Sequence, residues 1–283
     1  MTGGAGSVAL RAMTGEDISD GLRLSGAAGW NQRESDWRFL IERNPGRFVV
    51  AVRDGRVIGS GGAVCYGTSL AWVCMILVDP AERGHGIGTR IVSGVLERLA
   101  DMRSVGLDAT PFGLGVYTRL GFVETSRLVR MEAPPTSGEE DESPARPLAS
   151  ADFDSVLALD REVFGADRGE LLRAAAGRAP AFVGVRDDVL AGYCFGRDGA
   201  RSRQIGPVVA SDLDLASTLV VTSLVSDLGQ PVVVDVPADR AGWIERLHEF
   251  GFEEKRPLVR MFRGAPPAGR PERQWAIFGP EFG

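Results

Sequence analysis

The amino-acid sequence predicts two α/β domains of the same kind in tandem, because long segments of the chain occur twice. The segment "LGFVETSRLVRM", ending at Met131, is nearly repeated by "FGFEEKRPLVRM", ending at Met261. A second pair aligns "LRAMTGEDISDGLRL" from Leu10 with "ARPLASADFDSVLAL" from Ala145. Within the first copy, strand-like and helix-like segments alternate, as in an α/β domain. Two copies indicate a duplicated domain rather than a solenoid of many repeats.

A linker separates the two copies. The segment "APPTSGEEDESPARP" is rich in Pro, Ser and acidic residues, which is typical of linkers. With 283 residues, 44% of them hydrophobic, the chain can bury the cores of two ordinary domains. We therefore predict a first domain over residues 1–135, a linker over 136–145 and a second domain over 146–283.

The first elements of the first half are a strand, two helices and a hairpin. "VALRAM" is a short strand, and Thr14, followed by Asp17, can cap a helix that runs to about Ser25. "GWNQRESDWRFLIERNPG" predicts a broken helical stretch. "RFVVAVRDGRVIGSGGAVCY" reads as two strands joined at Asp54 and Gly55, a strong signal for a tight turn.

A buried strand and an amphipathic helix follow. "LAWVCMILV" is apolar on both faces, as a central strand covered on both sides would be. After a glycine-rich segment, apolar residues fall on one face at helical spacing: Ile87, Ile91, Val92, Val95, Leu96 and Leu99. Strands around "VGLDAT" and "FVETSRLVRMEA", separated by a short helix, complete a domain with a mixed sheet.

Composition excludes several classes of function. A net charge of -6 gives no overall electrostatic reason to bind nucleic acid or an anionic membrane. Cys65, Cys74 and Cys194 lie in apolar stretches without paired spacing, and His85 and His248 are the only histidines, so we expect no disulfide framework and no metal site. Neither a signal peptide nor a membrane span is indicated, which predicts a cytoplasmic protein.

The glycine-rich segment "ERGHGIGTRIV" is the main candidate site. It is not a dinucleotide fingerprint, because the sixth position counted from Gly84 is Thr89 and that counted from Gly86 is Ile91. A phosphate loop ending in Gly-Lys-Ser/Thr is also absent. Residues 83–89 instead form R-x-x-G-x-G between a buried strand and a helix. Glycines here can also mark an ordinary tight turn.

This pattern resembles the acyl-CoA signature of the GCN5-related N-acetyltransferases. The family's second signature, an aromatic hydroxyl shortly before Leu-Gly-Phe, is matched by "LDATPFGLGVYTRLGF", in which Tyr117 stands five positions before Phe122. The matches cover most of residues 8 to 133. The resemblance implies two tandem domains of this family, each a mixed, mostly antiparallel sheet flanked by helices. It also implies acetyl-CoA as the acyl donor, with the first domain binding it and no metal involved.

The resemblance implies where the donor binds. The strand before the glycine loop would splay from its neighbour, and the pantetheine arm would lie in the gap against the backbone of Leu77 and Val78. Unencumbered amides at a helix N-terminus can bind a pyrophosphate, since the helix dipole favours negative charge. The loop residues concerned are Arg83, Gly84, His85, Gly86, Ile87, Gly88 and Thr89. We expect His85 to face solvent or phosphate rather than take part in catalysis.

The chemistry implied is direct attack of a neutral amine on the thioester. Tyr117 matches the tyrosine that protonates the leaving thiolate, although its ring could instead pack on the helix with its hydroxyl in water. The strand before the loop has no carboxylate to serve as a base. Cys74 could act as a nucleophile, but with no His or carboxylate near it in sequence a buried thiol is favoured.

The acceptor site of this family borders the segment after the first helix, here "GWNQRESDW". Trp30 and Trp37 can supply apolar walls, while Asn31, Glu34 and Asp36 can bind a polar or cationic acceptor. A capped amphipathic helix that buries two tryptophans explains the segment equally well. The acceptor itself would be a small molecule, an amino sugar or a peptide amine, and the protein a monomer or homodimer.

The second half reads as a degenerate copy. Alignment on the Gly-Phe motif puts Leu247 where Tyr117 stands, and "IGPVVASDLDLAS" replaces the glycine loop. The apolar end "QWAIFGPEFG" predicts a docked strand or tail. The sequence thus indicates an acetyl-CoA dependent N-acetyltransferase, and the alternative is a CoA-binding sensor or scaffold without turnover.

Overall fold

The computed structural model describes residues 7–135, 145–226 and 229–283. The strands in these ranges are β1 (Ala9–Ala12), β2 (Val49–Arg53), β3 (Arg56–Tyr66), β4 (Leu70–Val78), β5 (Ser104–Ala109), β6 (Val123–Ala133), β7 (Ala145–Pro147), β8 (Ala181–Arg186), β9 (Val189–Arg197), β10 (Arg203–Ala210), β11 (Val232–Pro237), β12 (Glu253–Arg263) and β13 (Gln274–Ala276). The α-helices are α1 (Ile18–Ala27), α2 (Glu34–Arg43), α3 (Ile87–Glu97), α4 (Leu114–Arg119), α5 (Phe153–Phe164), α6 (Gly169–Ala176), α7 (Leu213–Val225) and α8 (Ala241–Glu249). None of these described helices combines the length and apolar character needed to cross a bilayer.

The predicted hairpin joins β2 to β3. Asp54 and Gly55 have φ of 49° and 77°, the left-handed conformation that this two-residue turn requires, and Arg53 pairs with Arg56 across it. Strand β4 is buried along most of its length, as its apolar sequence predicts. Both local predictions are confirmed.

The strands form one continuous sheet. Its order is β1-β2-β3-β4-β5-β12-β6-β11-β10-β9-β8-β7, with β13 paired to β10. Among the described strands, β4 runs parallel to β5 and β10 parallel to β11, while the other pairings are antiparallel. The α/β class and the mixed, mostly antiparallel sheet flanked by helices are confirmed.

The two halves exchange their last long strands. Strand β12 of the second half lies between β5 and β6, where Met261 pairs with Leu107. Strand β6 of the first half lies between β12 and β11, where Met131 pairs with Val234. These exchanged strands carry the "LVRM" segments whose repetition reveals the duplication. The limits 1–135, 136–145 and 146–283 stay a prediction, since each half completes the sheet of the other.

The same buried ion pair fixes each exchanged strand. Arg130 on β6 binds Asp235 on β11 through two hydrogen bonds of 2.9 and 2.7 Å. Arg260 on β12 binds Asp108 on β5 through two hydrogen bonds of 2.9 and 2.8 Å. Both aspartate side chains are fully buried. Removing one partner of such a pair would leave an uncompensated buried charge, which costs about 3–5 kcal/mol.

We expect a chain ending at residue 138 to lose the cooperative thermal unfolding of the full protein. It lacks β12, so β5 and β6 lose their common neighbour and Asp108 loses its guanidinium. Circular dichroism during heating measures this. Co-expression with residues 139–283 as a second chain is the control and should restore the transition. A monomeric 1–138 fragment with a sharp transition would show that β12 is dispensable.

The C-terminal segment is docked, as predicted. Strand β13 pairs with β10, with Val208 opposite Ala276. Beyond it, the carbonyl of Pro280 accepts a hydrogen bond of 3.0 Å from Trp72 Nε1, and that of Phe282 accepts one of 2.7 Å from Tyr66 Oη. The end of the second half therefore packs against strands of the first half.

Candidate functional site

A gap opens between the parallel strands β4 and β5. Their pairing ends at Trp72 and Gly106, although both strands continue. Just beyond, Met75 has a φ of 56°, unusual for a residue with a side chain, and the register with β3 shifts at this bulge. The bulge turns β4 away from β5, which is the splay that the resemblance implies.

A groove of about 660 Å³, here called the outer groove, lies at this gap. Its walls come from the end of β4, the glycine loop, the first turns of α3, and α4. The loop and strand residues predicted to bind the donor that line it are Leu77, Val78, Arg83, Gly84, Gly86, Ile87, Gly88 and Thr89. The structure thus brings eight of the nine together on one surface.

The ninth, His85, is exposed and does not line the outer groove. Its Nδ1 lies 3.3 Å from the carbonyl oxygen of Glu82, within the loop itself. Arg83 lines the groove, and its Nε donates a hydrogen bond of 3.3 Å to the carbonyl of Val78.

The glycine loop fits a phosphate group. Gly84 and Gly86 have φ of 82° and 73°, and a Cβ built at either would meet no atom within 4 Å. Gly86 is the N-cap of α3, which has no side-chain cap and no acidic residue in its first turn. The first amides of α3 are therefore free to donate to an anion, which the helix dipole also favours.

A second, smaller cavity of about 90 Å³, the inner cavity, adjoins the outer groove. Residues that line both are Trp30, Ile76, Thr110 and Tyr117. The inner cavity extends toward β12 and the C-terminal tail, so both halves of the chain contribute to its walls. An extended molecule in the outer groove would present its end to this cavity.

Tyr117 stands where the two spaces meet. Its ring packs edge-on against Phe122, with 5.9 Å between the ring centroids. Burial raises the pKa of the Tyr117 phenol above its ordinary value, and the Cys74 thiol contributes in the same direction. The phenol therefore carries its proton at neutral pH.

Cys74 also lines the inner cavity but is buried. Burial raises the pKa of its thiol well above the ordinary value. Such a thiol is protonated and a weak nucleophile, in agreement with the expected buried thiol.

The four predicted acceptor residues lie in different places. Trp30 and Asn31 line the inner cavity, and the Asn31 Oδ1 also accepts backbone hydrogen bonds of 2.8 and 3.1 Å from Arg201 and Ser202 of the second half. Glu34 is on the surface, paired with Arg38 at 2.6 Å.

Asp36 is buried and does not line the inner cavity. It accepts a hydrogen bond of 2.8 Å from the Arg33 amide at the start of α2 and lies 3.0 Å from Arg197. Trp37 is fully buried in the core and lines neither space. The segment thus contributes both a cavity wall and a capped amphipathic helix.

Two carboxylates that sequence reasoning missed line the inner cavity. Asp108 has both oxygens bonded to Arg260, and burial raises the pKa of its carboxyl despite this guanidinium. Glu281, in the C-terminal tail, accepts hydrogen bonds through Oε1 from Gln32 at 2.9 Å and Arg197 at 2.6 Å. A charged residue inside the apolar tail "AIFGPEFG" was the one available signal for Glu281.

In the second half, the counterpart of the glycine loop is capped by a carboxylate. At the start of α7, Asp212 accepts a hydrogen bond of 3.0 Å from the amide of Leu215 and pairs with Arg186. Strand β13 pairs with β10 beyond the last β10–β11 contact, and the counterpart of Tyr117, Leu247, is fully buried. A carboxylate at the helix N-terminus and a strand in the gap both oppose phosphate binding.

Comparison with known proteins finds matches in both halves. The family model "Acetyltransferase (GNAT) family" matches residues 17–122, and "Acetyltransferase (GNAT) domain" matches residues 156–279. "Holothin acyltransferase" of Pseudoalteromonas sp. (strain SANK 73390) is 30% identical over 255 residues, covering 87% of this chain and 84% of that protein.

Two further proteins are similar over most of the chain. "Uncharacterized N-acetyltransferase YitH" of Bacillus subtilis (strain 168) is 27% identical over 262 residues, covering 89% of this chain and 90% of that protein. The crystal structure of a putative acetyltransferase from Pyrococcus horikoshii superposes with a TM-score of 0.83 at 22% identity, covering 98% of this chain and 96% of the other. The latter similarity supports the fold.

Proposed function

Because this chain belongs to the GNAT family of acetyltransferases, with two domains of that family in tandem, we propose that it transfers an acetyl group from acetyl-CoA to a primary amine. The observation that carries the proposal is the meeting of the outer groove and the inner cavity at Tyr117. The acyl group of a donor in the outer groove and the amine of an acceptor in the inner cavity would then meet beside Tyr117.

Residues of the first half would hold the donor. The free amides of Ile87, Gly88 and Thr89 would bind its pyrophosphate, and Leu77 and Val78 would contact its pantetheine arm. The bound donor supplies a thioester, whose carbonyl carbon the amine attacks. The role of the second half would be to wall the acceptor side, since it supplies β12 and the tail to the inner cavity.

Proton transfers would be handled by two side chains. As the carbon–nitrogen bond forms and the carbon–sulfur bond breaks, Tyr117 would give its proton to the sulfur. Glu281 is the candidate to take the amine proton, because only its Oε1 is engaged by Gln32 and Arg197. Asp108 suits this role less well, since Arg260 occupies both of its oxygens.

A CoA-binding sensor without turnover is the second candidate, because β4 carries no carboxylate for a base. The carboxylate of Glu281 at the inner cavity favours the enzyme. The two functions differ in one observable, the release of free thiol from the donor.

Thiol release from acetyl-CoA, followed with a panel of primary amines, tests the proposal. We expect release to depend on a particular amine and to be lowered by Glu281→Gln, which preserves side-chain size but removes the base. If the protein binds acetyl-CoA but releases no free thiol with any amine of the panel, the result would instead support the sensor. Mass spectrometry of the acetylated amine confirms where the acetyl group goes.

A further inference from the structure

The inner cavity is lined by an arginine, Arg256, that forms no ion pair with the described carboxylates. Arg256 lines the cavity and pairs across the strands with Arg130 on β6. Arg130 is neutralised by Asp235, whereas Arg256 has no carboxylate of the described residues within 4.0 Å. Burial lowers the pKa of Arg256, and Arg130 lowers it further, while Asp235, Glu132 and Glu281 oppose the shift. An anion bound beside Arg256 would stabilise its buried positive charge.

An unused hydrogen-bond acceptor belongs to another residue that lines the inner cavity. Gln32 donates through Nε2 to Glu281 Oε1 at 2.9 Å, which fixes the orientation of its amide. None of the described residues donates a hydrogen bond to the Gln32 Oε1, which is buried, and Gln32 is only 9% exposed and lines the cavity. An unsatisfied buried acceptor is unfavourable unless a ligand or water donates to it.

The ion pairs around the cavity leave opposite charges unbalanced at two positions. Asp108 is matched by Arg260, but Arg197 serves both Asp36 at 3.0 Å and Glu281 at 2.6 Å. Negative charge is therefore in excess at Glu281, and positive charge is in excess at Arg256. A molecule that carries both an ammonium and an anionic group matches this distribution.

We propose that the acceptor is a small amino acid, bound by its carboxylate to Arg256 and by its amine to Glu281 and Gln32. A carboxylate accepts from a guanidinium through two oxygens, which suits Arg256 better than a single-atom acceptor would. An amine N–H would satisfy Gln32 Oε1. This inference rests on the proposed function and names its acceptor class.

Matched acceptors test the proposal on the unaltered protein. Thiol release from acetyl-CoA is measured with four amino acids: glycine, alanine, β-alanine and γ-aminobutyrate. Each is compared with its own carboxamide. We expect at least one acid to have a kcat/KM about 10- to 100-fold above that of its amide, the worth of a charge-assisted hydrogen bond. If kcat/KM is the same for the acid and the amide in every pair, this inference is overturned and the proposed function still stands. No release with any amine would overturn both.

Two further acceptors distinguish the kind of anion. Taurine and aminomethylphosphonate carry a sulfonate and a phosphonate in place of the carboxylate. We expect both to be poorer than the preferred amino acid. A preference for either would overturn the assignment of a carboxylate.

Variants at two neighbouring positions test the assignment to Arg256. Arg256→Gln should raise the KM for the preferred amino acid about 10- to 100-fold and reduce the difference from its amide, with the KM for acetyl-CoA within about twofold. Lys255→Gln is the matched control, because Lys255 is exposed and pairs with Glu253 outside the cavity, and it should change neither KM. Equal effects of Arg256→Gln on acid and amide would contradict a carboxylate contact. The acceptor pairs decide the proposal even if Arg256→Gln does not fold.

Discussion

Replacing Tyr117 with Phe should lower kcat about 10²- to 10⁴-fold, the usual contribution of a positioned general acid. The thiolate that leaves acetyl-CoA has a pKa of about 8.5, so its release into a partly buried site without a proton is slow. Phenylalanine keeps the ring against Phe122 and removes only the proton donor. Acetyl-CoA affinity should hardly change, because the loop amides that would hold the pyrophosphate are elsewhere. Steady-state kinetics with an accepted amine measures the effect.

An activated acyl donor whose leaving group needs no proton is the control for Tyr117→Phe. With that donor the variant should approach the parent rate. A kcat within about twofold of the parent on acetyl-CoA, with chemistry shown to limit the rate, would mean that Tyr117 is not the acid.

Replacing Gly86 with Val should weaken acetyl-CoA binding about 100-fold or more. The valine side chain would project into the open space before α3 and keep phosphate oxygens from its free amides. Loss of two charge-assisted hydrogen bonds at about 1.5 kcal/mol each gives a reduction of this size. Calorimetric titration of the folded variant with acetyl-CoA measures the affinity.

Gly46 provides a matched control for this substitution. Its φ of 74° nearly equals the 73° of Gly86, and a Cβ there also meets no atom within 4 Å. Gly46→Val therefore introduces the same backbone strain, about 1–3 kcal/mol, outside the outer groove. The two variants should lose similar stability, and only Gly86→Val should lose affinity. Equal affinities would exclude this loop as the donor site.

Much of the fold follows from local patterns in the sequence. The hairpin at Asp54 and Gly55, the buried β4 and the amphipathic α3 each depend on neighbouring residues, and each forms as predicted. The exchange of β6 and β12 could not be predicted in this way. The two strands have nearly the same sequence, so either can pair with β5 or β11 by its apolar pattern.

The outer groove was predictable and most of the inner cavity was not. The glycine loop and Tyr117 lie close together in the chain, and sequence motifs identify both. Arg256 and Glu281 reach the cavity from the second half, through the exchanged strand and the docked tail. The residues that bind Glu281, Arg197 and Gln32, are distant from it in sequence, so no spacing could reveal them.

Calorimetric titration of the full chain with acetyl-CoA shows whether a single groove, in the first half, holds the acyl donor. The second half has a carboxylate-capped α7 and β13 in its gap, so it should not contribute a site. We expect one bound acetyl-CoA per chain, with binding weakened by Gly86→Val. Two bound molecules per chain, or binding unaffected by Gly86→Val, would contradict it.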